Sequence, residues 1–150
     1  MRLPWFGVLF FALGCAGAPP ADDAGAVRAA VARLIAADNA RDLETVMSCY
    51  AEDAILLPPN DAPAAGHAAI RPRYATLFEQ FQPEITCVSE ETLVGSDFAI
   101  DRGITQGRLL PRAGGEPRSI DDKYAMILRR EASGRWLVQR LIWNSNRARP

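Results

Sequence analysis

The hydrophobic period of this chain changes once, near residue 80, and that change limits the folds open to it. Upstream, apolar residues recur at spacings of three and four. Val27, Ala30, Val31, Leu34 and Ile35 form one helical stripe, preceded by Asp22 and Asp23 as N-cap oxygens. Asn39-Ala40-Arg41 interrupts it, and Asp42 caps a second helix with Leu43, Val46, Met47 and Tyr50 on its inner face. Ala54 to Leu57 is a short apolar run stopped by Pro58-Pro59, which reads as a brief strand. Gly66 to Gln80 aligns Ile70, Tyr74, Leu77 and Phe78 as a third helix, with Pro72 expected to shorten or kink its first turn. Downstream the period is two. Four long strands are expected over Ile85–Val94, Phe98–Leu110, Arg118–Arg130 and Arg135–Ser145. Gly95-Ser96, Ala113-Gly114-Gly115 and Ala132-Ser133-Gly134 supply the turns between them. Helices followed by an antiparallel meander predict an α+β domain of four long strands plus one short strand. Strong twist would curl such a sheet into a cone around the helices.

The amino terminus predicts export. Met1-Arg2 gives a positive start, Trp5 to Leu13 is apolar apart from Gly7, and small residues follow from Gly14 to Ala18. The run is too short to span a bilayer comfortably. Ala12-Leu13-Gly14-Cys15 resembles a bacterial lipobox, although leucine is more usual where Ala12 stands. That resemblance implies acylation of Cys15 and, with Ala16 in place of an aspartate, sorting to the outer membrane from the periplasmic side. The alternative is cleavage after Ala18 and a secreted soluble protein, with Pro19 awkwardly placed for that cut. The expected division is an export signal over 1–14, a linker over 15–21, a domain over 22–146 and a tail over 147–150. Export permits a disulfide between Cys49 and Cys87. Two free thiols packed as small core residues are the simpler reading and the one favoured here.

Charge and motif content exclude several functions. The formal net charge is −1, like charges form no run, and Lys123 is the only lysine. Nucleic-acid binding would require a basic patch that the chain lacks. One histidine and two remaining cysteines, without ligand spacing, give no basis for a metal site. Neither a Gly-rich phosphate loop nor a nucleophile motif is present, so no cofactor is expected. His67, after Gly66 at a helix start, reads as a capping residue.

Three segments carry a family resemblance: Asn39-Ala40-Arg41-Asp42-Leu43, Tyr50-Ala51-Glu52-Asp53-Ala54 and Gly66-His67-Ala68-Ala69-Ile70-Arg71. In order and spacing they resemble the opening of SnoaL-like domains, within the nuclear-transport-factor-2-like superfamily. Asp122-Lys123-Tyr124, Gly134-Arg135-Trp136 and Ile142-Trp143-Asn144-Ser145 are similar to the ending of a subgroup whose function is mostly unassigned. The resemblance implies the cystatin-like cone, a pocket inside it and a homodimer packed sheet to sheet. Its functional range is wide: isomerases, cyclases, dehydratases and ligand binders share the fold. Ketosteroid isomerase, the best-known enzyme of this fold, has an aspartate base and an oxyanion-donating tyrosine where Pro58 and Leu34 stand here. Neither can do that work, so steroid isomerisation by that mechanism is not implied. The acid that enzyme carries on a later strand corresponds to Asp121 or Asp122.

Period-two reading places charged residues among apolar neighbours. Arg102 shares a strand face with Phe98, Ile100 and Ile104. Asp122 shares one with Ile120, Tyr124, Met126 and Leu128, and Arg140 and Asn144 share one with Trp136, Val138 and Ile142. Asp38 continues the stripe of Leu34 and Ile35 on the first helix. Buried charges must pair or line a wet cavity. Asp122 and Asp38 are therefore candidate acid–base residues with Tyr124 as a stabiliser, and Arg140, Arg102 and Asn144 are candidate ligand contacts. The structural alternative is salt bridges at the mouth of the cone, with Asp38 tying down a helix end and Asp101 or Asp97 neutralising Arg102. Trp136 and Trp143 read as core or dimer-face residues. Leu137, Leu141 and Trp143 make the outer sheet face apolar enough to suggest the homodimer.

The expected function is a cell-envelope protein that binds a small, partly apolar molecule in the cone, touching membrane only through the lipid anchor. An acid–base isomerase, cyclase or dehydratase without cofactor is the alternative, and a non-catalytic partner-binding module is a third.

Overall fold

The computed structural model describes residues 23–147. The expected export segment, Cys15, the linker and Asp22 lie outside the described residues, as does the tail beyond Arg147. The first helix, α1, spans Asp23–Ala40 and buries Val27, Val31, Leu34, Ala37 and Asp38. Asp23 begins the helix, and its carboxylate pairs with Arg130 from the far end of the sheet. Arg41 leaves the helix with φ 54°. Asp42 then caps α2 (Leu43–Cys49) by accepting from the Thr45 backbone N–H at 3.0 Å. Tyr50, expected on α2, instead opens strand β1 (Tyr50–Leu57) directly behind it, so the strand starts four residues earlier than its apolar run. A two-residue strand, β2 (Ala64–Ala65), is too short to carry a period of its own. Helix α3 (His67–Gln80) runs unbroken with Pro72 in its second turn. The chain continues into β3 (Phe81–Val94), β4 (Phe98–Pro111), β5 (Arg118–Arg130) and β6 (Trp136–Ser145).

The six strands lie in the order β2-β1-β6-β5-β4-β3. The four long strands pair antiparallel as expected, but β1 joins β6 in parallel, so the sheet is mixed. The crossover from β1 to β6 contains α3 and the whole meander, long enough for a parallel return. Curvature comes from irregularities at defined places. Register shifts occur between Ser89 and Glu91 in β3 and between Ile127 and Leu128 in β5 against β6. Each adds a residue on one side, which bends and twists the strand. At Gly103 a Cβ would lie 1.9 Å from the Val88 carbonyl oxygen, so only glycine permits that approach of β4 to β3.

The helices cover one face of this curved sheet. Val27, Val46, Ile70, Leu128 and Val138 are buried between the layers. Cys49 and Cys87 are free thiols, buried and half-buried respectively, which is the favoured of the two readings.

Candidate functional site

A cavity of about 380 Å³ lies between the helices and the sheet. Leu34 and Asp38 of α1, Leu56 and Pro58 at the end of β1, and Tyr74 and Leu77 of α3 form one side. Thr105 of β4, Asp122, Tyr124 and Met126 of β5, and Leu141 and Trp143 of β6 form the other. Leu34 and Pro58 both lie on this wall and bring no proton donor or acceptor side chain to it.

Asp38 sits one turn beyond Leu34 on the buried face of α1, which is what the helical period requires. It is 8% exposed, and its Oδ1 has no hydrogen-bond partner. Burial among apolar neighbours pushes its carboxyl up to about 8, so at neutral pH it holds its proton. Beside it, the hydroxyls of Tyr50 and Tyr74 meet at 2.7 Å. Burial raises both phenols well above their ordinary range, with the Asp38 charge adding to the effect. Asp122 is raised too, by partial burial first and by the charge of Asp121 second.

Tyr124 is committed elsewhere. Its hydroxyl donates to Asp101 Oδ1 at 2.7 Å. Asp101 is fully buried and also receives Ser89 Oγ at 2.9 Å and Thr92 Oγ1 at 2.8 Å. A phenol has one proton, so Tyr124 offers lone pairs to the cavity and cannot be the oxyanion donor expected of it. Burial holds it in that neutral form.

Asp38, Asp122 and Tyr124 thus line one cavity, whereas Arg102, Arg140 and Asn144 do not. In β4 the apolar residues Phe98 and Ile100 point outward with Arg102, and the inward positions hold Ala99, Asp101, Gly103 and Thr105. Arg102 pairs with Glu90 at 2.9 Å and Glu91 at 2.8 Å on the exposed face, not with Asp101 or Asp97. In β6 the cause is the irregularity. Leu128 pairs with Val138 but Ile127 pairs with Arg140, so Gln139 is an extra residue and the alternation slips by one. Leu141 and Trp143 consequently line the cavity, and Arg140, Ile142 and Asn144 lie on the other face. Arg140 donates to the carbonyls of Gln139 at 2.7 Å and Asp53 at 3.4 Å. Leu141 and Trp143 are therefore not the outer apolar face. That face is made by Leu93, Phe98, Ile100 and Ile142, which are 55%, 49%, 44% and 38% exposed. His67 Nε2 lies 3.1 Å from the Tyr50 carbonyl oxygen, a tie between α3 and β1 rather than a cavity contact.

The residues missed by sequence reasoning are Asp101, Thr105 and the Tyr50–Tyr74 pair. Asp101 had a visible signal, since it occupies the small-residue face of a strand. The tyrosine pair had none, because both fit apolar positions on their own elements.

Comparison with known proteins supports the same architecture. The structure is similar to a ketosteroid isomerase-like protein from Erwinia carotovora atroseptica SCRI1043, with TM-score 0.78 and 23% identity over 85% of this chain and 99% of that one. A conserved protein from Planctomyces limnophilus DSM 3776 gives TM-score 0.76 and 23% identity over 80% of this chain and 93% of that one. A candidate dehydratase of the NTF2-like family from Streptomyces avermitilis gives 0.71 and 18%, covering 86% and 99%. At such identities the likeness shows the fold alone. No curated protein matches the chain. The sequence pattern described as the SnoaL-like domain matches residues 31–139, from the middle of α1 to the bulge of β6. The chain belongs to the SnoaL-like domain family, with the cone fold of the NTF2-like proteins.

Proposed function

We propose that this protein binds a small, partly apolar molecule in the cavity between α1, α3 and the sheet. One observation carries the reading: a largely apolar cavity of about 380 Å³ that contains Asp38 with an unpartnered carboxyl oxygen. A buried polar atom without a partner is costly, and a bound ligand would supply the missing hydrogen bond. The cellular setting in this reading is the envelope. The signal over 1–14 is removed, Cys15 is acylated, and residues 15–21 tether the domain to the outer membrane. Secretion as a soluble protein is the competing fate. Replacing Cys15 with Ser should move the protein from the membrane fraction to the soluble fraction. Retention in the membrane would sink the anchor.

Native mass spectrometry of the mature protein, purified gently from its own envelope, tests the binding. The expected result is a bound small molecule that is lost in Leu34→Trp, which fills the cavity. Retention of the adduct by that variant would place the ligand elsewhere.

A second reading, acid–base catalysis without cofactor, is favoured by one feature. Asp38 has its carboxyl raised to about 8, within the range where a group can both give and take a proton near neutrality. In that case Asp38→Asn would lower turnover by about 100-fold or more with the fold intact.

A further inference from the structure

Hydrogen-bond directions around the cavity define the group that can complete it. Tyr124 spends its hydroxyl proton on Asp101, and Thr105 spends its own on Cys87 Sγ at 3.8 Å. Both hydroxyls therefore present lone pairs to an occupant. Arg73, the one cation of the lining, has its fork on Asp61 Oδ2 at 2.7 Å and the Ala62 carbonyl at 2.9 Å. Two acids, Asp38 and Asp122, share the same lining, and Asp38 Oδ1 is buried without a partner. Tyr74, Tyr124 and Trp143 add three aromatic rings. The cavity is thus aromatic and rich in acceptors and acids, with the proton of Asp38 as its donor until that group ionises.

Taking as its basis the reading that the cavity binds a small molecule, we propose that this molecule is an organic cation: a protonated amine on an apolar body. Asp38 receives its N–H groups from the α1 side, and the lone pairs of Tyr124 and Thr105 receive them from the sheet side. Aromatic rings stabilise a desolvated ammonium through their negative faces. A carboxylate or phosphate would instead meet two acids and an arginine already paired. An uncharged acceptor such as a ketone could take the Asp38 proton but would leave the lone pairs of Tyr124 and Thr105 without donors.

The proposal carries a proton signature. The groups around Asp38 are Cys49, Tyr50 and Tyr74 on the helix and β1 side, Arg73 on α3, and Asp122 and Tyr124 across the cavity. Burial raises Cys49 and the tyrosines above their ordinary values, and Asp38 is the group of this set raised to about 8. In the empty site Asp38 keeps its proton up to about pH 8, and an ammonium must displace it. Affinity for an amine should therefore rise about tenfold between pH 6 and pH 7 and level off above pH 8.

Isothermal titration calorimetry with three probes of one shape tests this: 1-naphthylmethylamine, 1-naphthylmethanol and 1-naphthoic acid. The amine is expected to bind at least about tenfold more tightly than the alcohol, with the acid weakest. Its heat should depend on buffer, because a proton is released. Asp38→Asn should lose both the preference and the pH slope. If that variant does not fold, the slope of the unaltered protein decides. Equal or tighter binding of the alcohol or the acid overturns the proposal, as does amine binding that is flat from pH 6 to pH 8. Binding of none of the probes overturns the cavity reading itself, a result distinct from the other two.

Discussion

Asp38 and Asp101 are both buried aspartates of one small domain, and their partners give them opposite roles. Asp101 accepts three hydroxyl protons and is part of the scaffold. Replacing it with Ala strands three hydroxyls and should cost about 3 kcal/mol in chemical denaturation. A loss under about 1 kcal/mol would mean that water takes over its bonds. Asp38 lacks such support, so its folded carboxyl is raised far above the 3.8 of an unfolded chain, to about 8. The folded state then binds the proton more tightly. Stability from this group is complete below pH 4 and is lost as pH rises to about 8. Asn at this position cannot ionise. Asp38→Asn should therefore match the parent near pH 4 and exceed its stability by several kcal/mol, on the order of 5, at pH 9. Denaturation at the two pH values checks this, and an equal gain at both would show that ionisation is not the cause.

Among the elements, β6 matters most for the site, because one extra residue decides which of its side chains enter the cavity. Gln139 separates a stretch in which Val138 is buried from one in which Leu141 and Trp143 line the cavity. Deleting Gln139 would remove the bulge and leave the Leu128–Val138 and Ile127–Arg140 pairs in one regular ladder, so Leu141 and Trp143 would still face the cavity and Arg140 the outer face. The expected cost is about 1–3 kcal/mol, since the bend of β6 and the Arg140 hydrogen bonds to the Gln139 and Asp53 carbonyls are disturbed while the cavity side chains stay in place. Near-UV circular dichroism and denaturation midpoints would register it. A loss well above about 3 kcal/mol would show that β6 cannot hold these pairs without the bulge.

At the scale of the molecule, the meander leaves an apolar outer face. Leu93 of β3, Phe98 and Ile100 of β4 and Ile142 of β6 are exposed there, while Arg102 and its two glutamates form a charged group on the same face. Exposed apolar residues clustered on one sheet face are the pattern of a self-complementary interface. A dimer packed through this face should dissociate on Ile100→Asp, giving a monomer by light scattering without loss of secondary structure. A parent protein that is already monomeric would remove the dimer and leave the face to a different partner.

The sequence alone determined the order of elements, because helical and strand periods depend only on local spacing, and the four long strands and three helices lie close to where those periods place them. It also placed Asp38, Asp122 and Tyr124 on inward faces, since each continues an uninterrupted apolar stripe of its own element. It carried no usable sign for β2, for the parallel pairing of β1 with β6, or for the meeting of Tyr50 with Tyr74, all of which join residues distant in the chain. Only the tertiary structure decided which face of β4 and β6 is the inside. Alternation assigns two faces but does not say which one the helices cover, and a single bulge at Gln139 exchanges them within one strand.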